Sequence, residues 1–267
     1  MPITDFAAFL ADISDPKEFQ PVTIPTLTAV AGRWYDLWTT VPPVGVAPTT
    51  AVVPTSATLG ALGQQDGGVL ALGLVAARFN AMNPGVFLLV DRLSHQGGLS
   101  GTVITAQTTN LPTAALTRYT DGVGVMIGLT IYTILGTAAT TVSASYTDQD
   151  NTTGNITPLV AFGASPFREA TRMILLPLTG DDTGVRAVAS VTVTATTGTV
   201  GNFGVTLFKP LAAIIVDEVN GVAICDLVTG KWGGGLPEVA DGAALHLLGC
   251  SASTNLMGSG TVLFSEW

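Results

Sequence analysis

Apolar and polar residues alternate with period two in three stretches of residues 121–208. Val123, Val125, Ile127, Leu129 and Ile131 fall on one side of an extended chain, and Gly124, Met126, Gly128, Thr130 and Tyr132 on the other. The pattern returns at Thr140–Thr147, where Val142, Ala144 and Tyr146 oppose Thr141, Ser143, Ser145 and Thr147. It returns again at Ala187–Thr197, with Val191, Val193 and Ala195 set against Ser190, Thr192, Thr194 and Thr196. β-Branched residues in this register, separated by Gly-rich turns, predict antiparallel sheet with one buried face. Further strands are predicted at Gly85–Leu93, Thr102–Thr109, Thr157–Phe162, Thr171–Leu178, Asn202–Leu211, Ile214–Val216 and Thr261–Phe264. The apolar run Val69–Asn80 suits a buried strand or a helix. The expected class is all-β: an antiparallel β-sandwich, jelly-roll-like, with an extended N-terminal arm.

The arm is expected over residues 1–65 and the sandwich over 66–267. Residues 4–14 carry Phe6, Phe9, Leu10 and Ile13 at helical spacing after Thr4, so a short amphipathic helix is predicted. A helix of this length is not stable alone, so its apolar face must dock, on its own sandwich or on another subunit. An extended stretch with Pro21 and Pro25 follows, and then Trp34, Tyr35 and Trp38. These aromatics either plug one end of the sandwich or anchor an interface, and with the helix residues they form the candidate interface set. From Leu37 to Gln65 no residue is charged, while Pro42, Pro43, Pro48 and Pro54 sit among Val, Thr, Ala and Gly. An apolar extended segment lying along a neighbour would account for that composition.

Charge is scarce throughout. Charged residues are 11% of the 267, and the 38 threonines outnumber all 29 of them. Strand surfaces coated with hydroxyls suit a protein packed among neighbours better than one diffusing alone. A net charge of −9 with three lysines argues against direct nucleic-acid binding. The longest apolar run, Val69–Ala77, is about half the ~20 residues of a spanning helix, so no membrane partner is expected. Lys17 is the first basic residue, so no secretion signal is read. Cys225 and Cys250 are accordingly expected as buried thiols, unless the fold brings them together.

Candidate chemistry fails site by site. Asp148-Gln149-Asp150-Asn151-Thr152 starts like a calcium loop, but its Gly comes late at Gly154 and Leu159 stands where the bidentate Glu belongs. A solvated hairpin tip is expected there. Gly230-Lys231-Trp232 lacks the pattern of a phosphate loop. His95 and His246, the only two histidines, have no metal-ligating partner at suitable spacing. Asp91, Ser94 and His95 do not make a triad, and His95 is expected at a strand end with local hydrogen bonds. No catalytic residue, cofactor or metal site is read.

Several segments together resemble virion structural proteins of tailed bacteriophages: Leu88-Leu89-Val90-Asp91-Arg92-Leu93, Thr105–Tyr119, Gly122–Thr147, Asp182-Thr183-Gly184-Val185-Arg186, Thr197-Gly198-Thr199 and Gly204-Val205. The resemblance covers Trp34 to the C-terminus and implies a component of an assembled particle with no catalytic residues. The expected role is a capsid cement (decoration) or minor capsid protein, located in a virion assembled in the host cytoplasm. Its expected partners are the major capsid protein and further copies of itself, with a trimer favoured. The alternative is a tail- or fibre-associated β-sandwich that binds host-surface glycan, for which Trp232 is the candidate platform.

Overall fold

A computed structural model describes residues 18–62, 72–111, 115–226 and 238–266. All regular structure among them is β, in sixteen strands and three antiparallel sheets. The six-stranded central sheet runs β10 (Met173–Leu176), β6 (Met126–Thr133), β12 (Asn202–Val216), β4 (Gly85–Ser100), β15 (Leu245–Ser251) and β2 (Arg33–Asp36). Its two edges meet. Tyr35 bridges Arg172 in antiparallel fashion, and the Asp36 amide donates to the Thr171 carbonyl at 2.8 Å. This one bridge closes the sheet into a barrel.

Two further sheets pack on the outside of this barrel. One is β1 (Glu18–Thr28), β16 (Asn255–Glu266), β3 (Leu72–Ala81) and β13 (Gly221–Asp226), with β14 (Glu238–Val239) also on β3. The other is β5 (Gln107–Thr108), β11 (Val185–Val193), β7 (Thr140–Asp148) and β8 (Thr153–Ile156), with β9 (Val160–Phe162) also on β7. Each makes a sandwich with the barrel wall. The first core holds Val22, Ile24, Leu74, Phe79, Phe87, Leu89, Ile214, Leu247, Val262 and Phe264. The second holds Ile127, Leu129, Ile131, Val142, Ala144, Tyr146, Val191, Val193, Phe203 and Val205. The period-two residues of 125–131, 142–146 and 191–193 thus face inward as expected, while Val123 and Ala195 are exposed. Their opposite side carries the hydroxyls: Thr192 pairs with Ser143, and the Thr141 and Thr194 hydroxyls lie 2.8 Å apart.

Several boundaries differ from those expected. Asn202–Leu211 and Ile214–Val216 are one fifteen-residue strand, kept continuous past Pro210 by a register shift between Pro210 and Ala212. Gly85–Leu93 continues to Ser100, and Val69–Asn80 resolves as strand from Leu72 onward. Thr102–Thr109 is mostly irregular, because Gln107 folds back and its side chain bonds the Ser100 amide and carbonyl; only Gln107–Thr108 pair. Of the segment expected as an arm, β1 and β2 are strands of the folded body, and residues 37–62 run over the barrel mouth. The expected helix 4–14, with Phe6, Phe9, Leu10 and Ile13, lies outside the described residues.

Candidate functional site

All six barrel strands send side chains to the interior. One end is apolar, with Trp34, Leu88, Val90, Met126, Met173, Leu175, Phe208 and Leu248 in one cluster. The other end is ionic. The Arg92 guanidinium, fully buried on β4, pairs with the Asp36 carboxylate on β2. It also donates to the Thr206 hydroxyl on β12 at 3.0 Å. Two imidazoles complete its surroundings: His95 Nδ1 lies 2.8 Å from Nη1, and His246 Nε2 lies 3.3 Å from Nη2. Asp36 in turn accepts from the Thr130 hydroxyl at 2.6 Å and from the Trp38 amide at 3.0 Å.

Trp38 closes this end. Its ring lies 4.6 Å from the Arg92 guanidinium carbon and meets both imidazoles edge-on at 5.5 Å. Gly45 and Gly60 press against the indole so closely that a Cβ on Gly45 would come within 2.3 Å of its Nε1. The strap 37–62 is held across the mouth by backbone bonds. Val52 and His95 exchange two, at 2.9 and 3.0 Å, and Gly97 donates to Pro48 at 2.9 Å.

The electrostatics follow from this enclosure. Burial alone would raise the Asp36 carboxyl, but the Arg92 guanidinium, His246 and the hydrogen bonds from Arg92 and Thr130 together outweigh it and hold it down at about 2. Burial and then the same guanidinium push His246 down to about 3, and His95 well below its ordinary value. Burial lifts the Tyr132 phenol to about 12. The neighbouring residue on β4 points the other way. Asp91 takes Arg118 bidentately at 2.8 and 2.9 Å and accepts from the Ala244 amide at 2.9 Å, and burial still pushes its carboxyl up. Arg118 also ties down the carbonyls of Pro54 and Arg92. Consecutive residues of β4 thus serve an ionic cluster inside the barrel and another outside it.

This arrangement is built for holding. Asp36 is committed to three donors, Arg92, Thr130 and the Trp38 amide, and neither imidazole stands beside a nucleophile with a base free to activate it. Asp91, Ser94 and His95 are not a triad, since the Asp91 carboxylate bonds Arg118 and His95 bonds Arg92. At the 148–155 hairpin the Asp148 carboxylate accepts from the Thr152 amide and the Asn155 side chain, both at 2.8 Å, with Asn151 in the left-handed region. No group of three or more potential metal ligands comes together among the described residues. Cys225 and Cys250 are free thiols and half-buried.

The interior cluster went unseen in the sequence. His95 is locally bonded, as expected, but lies within a strand and not at its end. The signal was present in Asp91-Arg92 and His95, ionisable residues inside an otherwise apolar strand. Of the aromatics, Tyr35 faces the first core, Trp34 enters the barrel's apolar end, and Trp38 caps the ionic end. Trp34 and Trp38 therefore sit at opposite ends of the barrel's contents.

The outward face of the β1–β16–β3–β13 sheet is a second candidate surface. Register sets Pro21, Thr261, Arg78 and Ile224 in one row across it, and Thr23, Ser259, Asn80 and Val222 in the next. Val222, Ile224, Met82 and Met257 are exposed, with Ile224 at 68%. A shallow cleft of about 400 Å³ crosses these rows.

No family model matches the chain, and no curated protein matches it. Among solved structures it is similar to that of the infectious bursal disease virus Gt strain, at 9% identity and TM-score 0.17, covering 94% of this chain and 82% of that one. It is also similar to the infectious bursal disease virus VP2 subviral particle, at 8% identity and TM-score 0.19, covering 94% and 80%. Particles of T=1 symmetry derived from that virus give 9% identity and TM-score 0.19, covering 93% and 77%. Likeness at these values is too slight to bear on function.

Proposed function

We propose that the chain is a non-enzymatic structural component of a virus particle, as a cement, decoration or minor capsid protein working in several copies. The observation that carries this reading is the outward face of the β1–β16–β3–β13 sheet. It presents Val222, Ile224, Met82 and Met257 to solvent among Thr, Ser and Asn, with Arg78 as the one charge in its two registered rows. Apolar side chains grouped on a sheet face, on a chain with 11% charged residues, suit burial against another subunit. The resemblance of Leu88–Leu93 and the later segments to phage virion proteins supports the same reading. So does the interior, where the ionic groups are spent on holding the barrel.

The test is Val222→Lys with Ile224→Lys. Both side chains point outward, so the monomer should keep its thermal midpoint while its occupancy on particles falls at least about tenfold. Unchanged occupancy would rule this face out as the contact surface.

A further inference from the structure

The ionic end of the barrel holds two imidazoles that cannot be charged in place. A guanidinium has donors only, so His95 Nδ1 at 2.8 Å and His246 Nε2 at 3.3 Å must face Arg92 as proton-free acceptors. Protonating either nitrogen turns it into a donor aimed at a permanent cation. The other groups facing the rings come from every packed element. They are Asp36 from β2, Tyr132 and Thr130 from β6, Thr206 from β12, and Trp38 from the strap. Among these the carboxylate is Asp36, already held by Arg92, Thr130 and the Trp38 amide, with His246 Nε2 3.6 Å from its second oxygen. Asp91 on the far side of β4 is matched by Arg118. One anion and one cation balance; two added protons do not.

The strap depends on these same groups. Its first residue inside the barrel, Trp38, is held through Asp36 and stacked on Arg92, and its middle pairs with the backbone of His95 itself. We infer that the Asp36–Arg92–His95–His246 cluster is an acid-sensitive clasp, and that protonation of its imidazoles releases Trp38 and the strap's middle, residues 43–61, from the barrel mouth while both sandwich cores persist, Leu37, Val41 and Leu62 staying in the first. Both imidazoles are held below the ordinary histidine value, so the folded state binds fewer protons than the unfolded chain. The clasp is then complete above about pH 6.5 and lost as pH falls toward about 3.

Hydrogen exchange on the full chain at stepped pH, corrected for intrinsic rates, tests this. Amides of 43–61 should lose protection by at least about tenfold between pH 6.5 and 3.5, while those of Leu37, Leu62, β6 and β12 keep theirs. A His95→Gln, His246→Gln variant keeps an acceptor facing Arg92 but cannot take up charge, so its strap should stay protected to a pH lower by at least about one unit. An equal midpoint in that variant overturns the proposal, as does simultaneous loss in strap and cores, or a strap still protected at pH 3.5. Should the variant not fold, proton NMR of the two imidazoles in the unaltered chain decides. Their titration must coincide with strap release, and an imidazole that titrates while the strap stays protected refutes the clasp.

Discussion

Replacing Arg92 with Met is the sharpest perturbation of the barrel. It leaves the Asp36 carboxylate, 1% exposed, without its cation, and strips the donor from Thr206, His95 and His246. Removing one partner of a buried pair costs roughly 3–5 kcal/mol, because the remaining charge stays desolvated. For a chain of this size that corresponds to a thermal midpoint lower by roughly 6–20 °C. Removing both charges should cost much less. In Asp36→Asn with Arg92→Met, the carboxamide oxygen still accepts from Thr130 or the Trp38 amide, and no ion is stranded. The double variant should therefore recover roughly 2 kcal/mol or more relative to the sum of the singles. Urea unfolding followed by circular dichroism, with unchanged m-values, measures all three proteins. A loss below about 1 kcal/mol for Arg92→Met, or a double variant as unstable as the summed singles, would refute the assignment of Arg92 and Asp36 as the barrel's central pair.

Trp38→Ala should cost roughly 3–5 kcal/mol of folding stability, since the indole is buried within its own chain against Arg92, Gly45 and Gly60. An unchanged midpoint with lost particle occupancy would instead make Trp38 an inter-subunit anchor. Tyr146→Phe should cost about 1 kcal/mol, because the phenol donates to Asp182 and accepts from the Thr179 amide at 3.0 Å. A stability equal to the parent's would show that water replaces both partners.

The sandwich cores were legible because period two is a local property. Val125 to Ile131, Val142 to Tyr146 and Val191 to Val193 state their buried side without reference to the rest of the chain. Closure of the barrel was not legible. It rests on Tyr35 meeting Arg172, residues 137 positions apart, and no periodicity encodes which edges of a sheet will join. The charge-free stretch 37–65 shows a different limit. Its lack of charge cannot say whose surface it covers: residues 37–62 lie over this chain's own barrel mouth, with Trp38 and Ala61 buried there and Val44, Val46 and Leu59 exposed. The ionic cluster was hidden for the same reason as the closure. Asp36, Arg92 and His246 come together only through strand order, and the sequence offered just one irregular sign, ionisable residues inside an apolar strand.

Whether this chain builds a particle is tested most directly by a cryo-EM map of particles purified from its source. A structural role predicts repeated, symmetry-related density for the barrel and its two flanking sheets, with Val222 and Ile224 of each copy buried against a neighbouring subunit. Particles that lack the chain, or that carry it with this face open to solvent in every copy, would contradict it.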